Sequence, residues 1–258
     1  VWQVPDDEVG PAVSEAIRRG YRSIDTAQGY DNERGVGIAL RQADIDRGEL
    51  FVTSKLRTKA MGYDGALAGI RQSLDDLGLD YLDMFLIHWP TPARDTYVDT
   101  WKALVQARED GLVRSIGVSN FLVEHLERII NETGIVPVVN QIETHPRYQQ
   151  RDIRSFLAGN GIQHVSYSPL GSGAVLEDPT LAEIGSKYGK SVAQTILRWH
   201  IQEGLVAIPK SVTPERIREN IEVFDFELDP EDLARIATLD DPRNGKTGSR
   251  PEEFNDLY

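Results

Sequence analysis

The chain has 258 residues, 40% hydrophobic and 27% charged, with 28 Lys and Arg against 41 Asp and Glu, a formal charge of −13. This is the composition of a globular protein with a sizeable core, and the acidic balance without a basic cluster argues against nucleic acid and anionic membrane surfaces as partners. The absence of cysteine excludes disulfide scaffolds, thiolate metal sites and cysteine nucleophiles, and no apolar run approaches the roughly 20 residues of a membrane span.

The chain opens on Val1-Trp2-Gln3-Val4 without the charged and apolar regions of a signal peptide, so a cytoplasmic location is expected. Val1–Gln3 reads as the end of a strand. Short, continuous apolar runs follow at Arg22–Asp25, Leu50–Ser54, Leu82–His88, Val113–Val118, Pro137–Ile142, Ile162–Ser166 and Leu205–Pro209, the pattern of buried parallel strands. Between them lie helical stripes: Val9, Val13, Ala16 and Ile17; Leu67, Ile70, Leu74 and Leu77; Tyr97, Trp101, Leu104 and Val105; Leu122, Leu126, Ile129 and Ile130. Strand–helix alternation requires right-handed parallel crossovers. Eight such units in about 250 residues predict a single-domain (β/α)8 TIM barrel spanning residues 1–258. A doubly wound sheet is the alternative, but no G-x-G-x-x-G follows an early strand, and Gly35-x-Gly37 falls inside a helical pattern.

Chemistry in such a barrel sits at the C-terminal ends of the strands. Polar residues fall there throughout: Asp25 with Tyr30 five residues on, Lys55, His88, Ser119-Asn120, Gln141 and Glu143, Tyr167, and Lys210-Ser211. Each alone has a structural explanation, an ion pair at the rim or a packed aromatic. Together, Asp25, Tyr30, Lys55 and His88 compose a site for handling a proton on a carbonyl or alcohol oxygen. The Lys55 ammonium is expected to favour the Tyr30 phenolate and lower its pKa from about 10 toward neutrality. A Schiff-base lysine at Lys55 is the rival, disfavoured because Asp25 would keep the amine charged. The five histidines show no metal-ligand spacing, so no metal is expected. Near the last strand, Lys210, Ser211, Thr213 and Arg216 surround a turn into a helix, with Thr213-Pro214 as N-cap and first position. Two cations, hydroxyls and a helix N-terminus suit a phosphate monoester.

Tyr21-Arg22-Ser23-Ile24-Asp25-Thr26-Ala27 with Tyr30 and Asn32-Glu33 resembles the first signature of the aldo-keto reductases. Gly117–Phe121, Asn140–Glu143 and Ile208–Arg216 through Phe226 resemble their later segments, in order over essentially the whole chain. The resemblance implies that Tyr30 is the general acid, tuned by Lys55 and Asp25, with His88 orienting the carbonyl. It implies NADPH as cofactor: Ser119, Asn120 and Gln141 on the carboxamide, and Tyr167 stacked on the nicotinamide. Ser168 and the loop Pro169-Leu170-Gly171-Ser172 would lie over the pyrophosphate. Lys210, Ser211 and Arg216 would take the 2′-phosphate, with Thr213, Glu219 and Asn220 at the adenosine end and Val212 also among the cofactor-binding positions. Trp2 and Trp89 fall where this family lines its substrate pocket.

His88-Trp89-Pro90-Thr91-Pro92 followed at once by a helix, and Asn140–Pro146, look most like bacterial 2,5-diketo-D-gluconate reductases and reductases of related small dicarbonyls such as methylglyoxal. Two departures stand out. The hairpin and glycine-rich first strand that this family carries ahead of Trp2 are not in the chain. Arg57 stands where many relatives have Trp; an arginine there either favours anionic substrates or points to solvent. A non-catalytic NADPH-binding sensor of the same fold is the alternative reading, against which all four catalytic positions are occupied. No apolar surface stripe is left over once the helices pack, so a monomer is expected.

Overall fold

A computed structural model describes all 258 residues. Ten helices and seven strands alternate: α1 (Val9–Arg18), β1 (Ser23–Asp25), α2 (Glu33–Gln42), β2 (Phe51–Leu56), α3 (Tyr63–Leu77), β3 (Leu82–Ile87), α4 (Tyr97–Glu109), β4 (Val113–Ser119), α5 (Val123–Thr133), β5 (Val139–Glu143), α6 (Arg151–Gly159), β6 (Gln163–Tyr167), α7 (Pro179–Tyr188), α8 (Val192–Gln202), β7 (Val206–Ala207), α9 (Pro214–Ile221) and α10 (Pro230–Ala237). All strands are parallel, and each pairs with the next in chain order. A doubly wound sheet reverses its order at a switch point. This one never reverses, which is the winding of an α/β barrel.

The strand expected at Val1–Gln3 does not form. Gln3 adopts a left-handed conformation (φ 56°), and the segment touches β1 through one hydrogen bond from the Val1 amine to the Asp25 carbonyl, 3.3 Å. β1 and β7 are therefore unpaired with each other. The gap between them is spanned from outside by α1 and α9, with the Tyr21 hydroxyl donating to the Ile217 carbonyl at 3.0 Å.

A core of 35 buried side chains fills the layer between the strands and helices α1 to α6, with Trp101, Phe85 and Phe121 fully enclosed. A smaller cluster, including Trp199 and Ile184, packs α7, α8 and α10 together. The Gly35-x-Gly37 pair belongs to this packing rather than to phosphate binding. A side chain at Gly35 would overlap the Asp6 carbonyl, and one at Gly37 the Leu77 backbone, so α2 approaches its neighbours only because both lack a Cβ.

Candidate active site

The sheet register explains why the rim residues converge. Asp25 pairs with Thr53, and Lys55 lies two residues further along β2; Lys55 pairs with Leu86, and His88 lies two residues beyond it. Leu86 pairs with Gly117, two before Ser119; Ser119 pairs with Gln141; Gln141 pairs with Val165, two before Tyr167. Steps of zero or two residues keep every one of these side chains on the same face.

They surround a cavity of about 720 Å³. Asp25, Tyr30, His88, Trp2 and Trp89 line one end, and Ser119, Asn120, Gln141 and Tyr167 the middle. Ser168, Ser172, Lys210, Ser211 and Asn220 line the other end. Ala12, Val13 and Ala16 of α1 reach the wall through the gap between β1 and β7. Lys55 is fully buried behind the surface. Its ammonium donates to Asp25 Oδ1 (2.5 Å), the Thr26 carbonyl (2.9 Å) and the Tyr30 hydroxyl (3.2 Å). Burial alone would lower its pKa, but Asp25 and Tyr30 outweigh that and hold it above the ordinary lysine value. A permanently charged, triply engaged ammonium is not a free amine, which removes the Schiff-base alternative.

The Tyr30 phenol differs from expectation. Burial raises its pKa and so does Asp25; the opposing pull of Lys55 is smaller, so the net shift is upward rather than toward neutrality. The phenol is thus a held proton with a cation beside its oxygen. His88 is pushed well below the ordinary histidine value by burial and by the Lys55 charge, so its ring is neutral. One ring nitrogen, Nδ1, is hydrogen-bonded to the Tyr258 hydroxyl at 2.8 Å, which leaves Nε2 available to a ligand.

In the middle of the cavity the amides are tied to one another. Gln141 donates to Asp25 Oδ2 (2.8 Å), Ser119 Oγ to the Gln141 carbonyl (2.8 Å), and the Tyr167 hydroxyl to Asn120 Oδ1 (2.8 Å). Asn120 itself sits at φ 61° and donates to the His88 carbonyl at 3.0 Å. Lys210 at the far end, and Arg216 of α9 outside the lining, are both exposed and have no ion-pair partner, in a protein with many carboxylates to spare. Ser211 Oγ accepts from the Thr213 amide (3.1 Å), so Ser211 takes the turn-stabilising role expected of Thr213, whose own side chain makes no cap.

Several expected positions do not line the cavity: Leu170, Val212, Thr213, Arg216, Glu219 and Arg57. Leu170 packs against the smaller apolar cluster, and Val212 is exposed. Thr213 stands at the N-cap position of α9, and Arg216 and Glu219 stand within the helix, Arg216 exposed and the other two half-buried. The Arg57 guanidinium is bonded to the Gln28 carbonyl and to Asp31, away from the pocket and only partly open to solvent. Conversely, sequence reasoning missed the C-terminal segment. Phe254 stacks on Trp89 at 4.1 Å, Tyr258 reaches His88, and Thr247 and Gly248 line the cavity. Glu143 pins that segment, accepting from Lys246 Nζ, the Thr247 amide and hydroxyl, and the Gly248 amide at 2.6–3.0 Å. Burial opposes its ionisation, but His145 and these donors hold the carboxyl far below its ordinary value. The two aromatics were the only sequence signal for this segment, since it has no periodicity.

The Aldo/keto reductase family pattern matches residues 1–241. Methylglyoxal reductase DkgA of Escherichia coli K12 is 47% identical over 256 residues, covering 98% of this chain and 92% of that protein. Glyoxal reductase of Bacillus subtilis is 48% identical over 248 residues, covering 96% and 88%. Among solved structures, a variant of the protein Gox0644 crystallised with NADPH superposes with a TM-score of 0.94 at 48% identity, covering 98% of this chain and 92% of that one. A Bombyx mori aldo-keto reductase in complex with NADP gives 0.90 at 38% identity, covering 98% and 89%. Sheet winding, rim constellation and these likenesses agree: the chain belongs to the aldo/keto reductase family.

Proposed function

We propose that the protein reduces aldehydes and ketones to alcohols with NADPH, acting on small dicarbonyls such as methylglyoxal or on keto-sugar acids. The observation that carries this is the buried Asp25–Lys55–Tyr30 chain of hydrogen bonds beside a neutral His88. The donor set suits the cofactor. The cavity runs continuously from Tyr30 to Lys210 and Ser211, where a 2′-phosphate would lie and where Lys210 carries no ion pair; Arg216 of α9, also unpaired, stands outside the lining. Ser119, Asn120 and Gln141 offer hydroxyl and amide groups for a carboxamide, and the Tyr167 ring a face for stacking. Ser168 and Ser172 offer hydroxyls for the pyrophosphate and Asn220 an amide toward the adenosine; Leu170, Thr213 and Glu219 would act only from behind this lining.

NADPH, when bound, supplies the hydride to the carbonyl carbon. The protein supplies the rest. Nε2 of the neutral His88 donates to the carbonyl oxygen and fixes its direction. Tyr30 gives its proton to the same oxygen as negative charge develops. Lys55 stabilises the phenolate left behind, and Asp25 keeps Lys55 charged and in place. Trp2, Trp89 and Tyr258 provide an apolar wall that excludes water. Residues 1–258 act as one barrel domain, monomeric and cytoplasmic, without membrane or nucleic-acid partners; no helix is long and apolar enough to cross a membrane.

Tyr30→Phe tests the assignment. It removes only the phenolic hydroxyl, so NADPH oxidation with methylglyoxal should fall by about 10²- to 10⁴-fold while NADPH binding, read by quenching of tryptophan fluorescence, stays unchanged. Wild-type turnover in this variant would refute the role of Tyr30.

A further inference from the structure

We infer that Arg57 is a positioning residue that fixes the phenol of Tyr30, and that it does not read the substrate; this rests on the proposed role of Tyr30 as proton donor. Tyr30 ends a single 3-10 turn, Gln28–Tyr30, which Asp31 closes in a left-handed conformation at φ 52°. One turn of helix has almost no stability of its own. The Tyr30 hydroxyl makes one 3.2 Å hydrogen bond to Lys55 and its ring meets His88 edge-on at 5.7 Å, but neither contact holds the backbone of the turn. The turn must be held from elsewhere.

Arg57 holds it at both ends. Its guanidinium donates to the Gln28 carbonyl at the start of the turn and to Asp31 Oδ1 (2.7 Å) at its close. Its backbone amide donates to Gln28 Oε1 (3.0 Å), and the same buried Gln28 amide donates to the Gly69 carbonyl of α3 (2.6 Å). Arg57 follows β2 directly, two residues after Lys55. One strand thus sets both the ammonium and, through Arg57, the turn that brings the phenol to it. Both side-chain bonds leave one nitrogen, Nη2, whose hydrogens the planar guanidinium holds in fixed directions; a lysine ammonium in its place is shorter and rotates freely.

The substrate-reading alternative has no geometric support, because Arg57 does not line the cavity and its guanidinium is already engaged. The leading charges on the phenol are those of Lys55 and Asp25. Arg57 therefore acts by placement, and a misplacement of about 1 Å in a reacting group can cost on the order of 10²-fold.

The test compares Arg57→Met and Arg57→Lys in the full chain, alone and combined with Tyr30→Phe, using methylglyoxal as a neutral carbonyl and 2,5-diketo-gluconate as an anionic one. Arg57→Met should lower kcat by about 10- to 100-fold for both carbonyls, with NADPH binding and the pH midpoint of kcat unchanged. Arg57→Lys should recover part of the loss. In the Tyr30→Phe background, Arg57→Met should cost nothing further, because the group it places is gone. Wild-type kcat in Arg57→Met, a change confined to KM for the anionic carbonyl, or a loss fully additive to that of Tyr30→Phe would each overturn the inference. If Arg57→Met does not fold, Arg57→Lys carries the same comparison at smaller amplitude. Tyr30→Phe with wild-type turnover would instead overturn the role of Tyr30 itself, and is read independently.

Discussion

The phenol of Tyr30 sits under opposed pressures: burial and Asp25 keep its proton on, while Lys55, 3.2 Å away, stabilises the oxygen once the proton has gone. For reduction the phenol must begin protonated, so its raised pKa places the loss of activity on the alkaline side. The rate with saturating NADPH should stay level from roughly pH 6 to 9 and fall only above the ordinary tyrosine value. His88 adds no acid limb near neutrality, because its pKa lies well below 6.5. Lys55→Met removes the charge that favours the phenolate. It should lower kcat by about 10²- to 10⁴-fold and move the alkaline limb upward; a stopped-flow pH series on both proteins measures this. Asp25, Tyr30, Lys55 and His88 were legible in the sequence because each stands at or just past a strand end. Arg57 was legible only as a departure, since its two acceptors belong to a turn that no periodicity announces. Tyr258 was invisible for a related reason: it reaches His88 from 170 residues away along the chain.

Between strand and helix, the turn from β7 into α9 gathers two unpaired cations, with Glu215 of the first helical turn the one carboxylate between them. Lys210 and Arg216 have no carboxylate partner, Pro214 occupies the first turn of α9, and the helix N-terminus adds its partial positive charge. If this element holds the 2′-phosphate, Arg216→Ala should weaken NADPH binding by about 10- to 100-fold, the worth of a charge-assisted hydrogen bond, and leave NADH binding unchanged. Titration of both cofactors by fluorescence separates the two; equal losses would assign Arg216 to helix packing. The strands themselves were readable within one or two residues, because buried parallel strands are continuous apolar runs. Val1–Gln3 was not, since three residues carry the composition of a strand without the neighbour that makes one. The Lys246–Gly248 anchor on Glu143 lay equally out of reach: a polar loop shows nothing of the carboxylate it will wrap.

The fold as a whole carries buried, uncharged histidines away from the cavity. Burial takes His200 down to about 4 and His164 to about 3. The unfolded chain binds protons on these rings below 6.5 while the folded chain refuses them, so stability is complete above that value and falls as pH drops. His200 alone accounts for about 3 kcal/mol by pH 4. Urea midpoints should therefore decline between roughly pH 7 and 4.5, and His200→Gln, which cannot titrate, should flatten that decline. The depressed Glu143 carboxyl works in the same direction at lower pH. The barrel winding was evident from the count of alternating units, whereas the unpaired flank between β1 and β7 depends on which segments meet in space. What this barrel does with a carbonyl is read from NADPH absorbance on mixing the protein with methylglyoxal, glyoxal or 2,5-diketo-gluconate, with NADH in parallel. Steady oxidation of NADPH with at least one of these dicarbonyls, and much slower use of NADH, is the expected result. Tight NADPH binding with no oxidation by any carbonyl would contradict it.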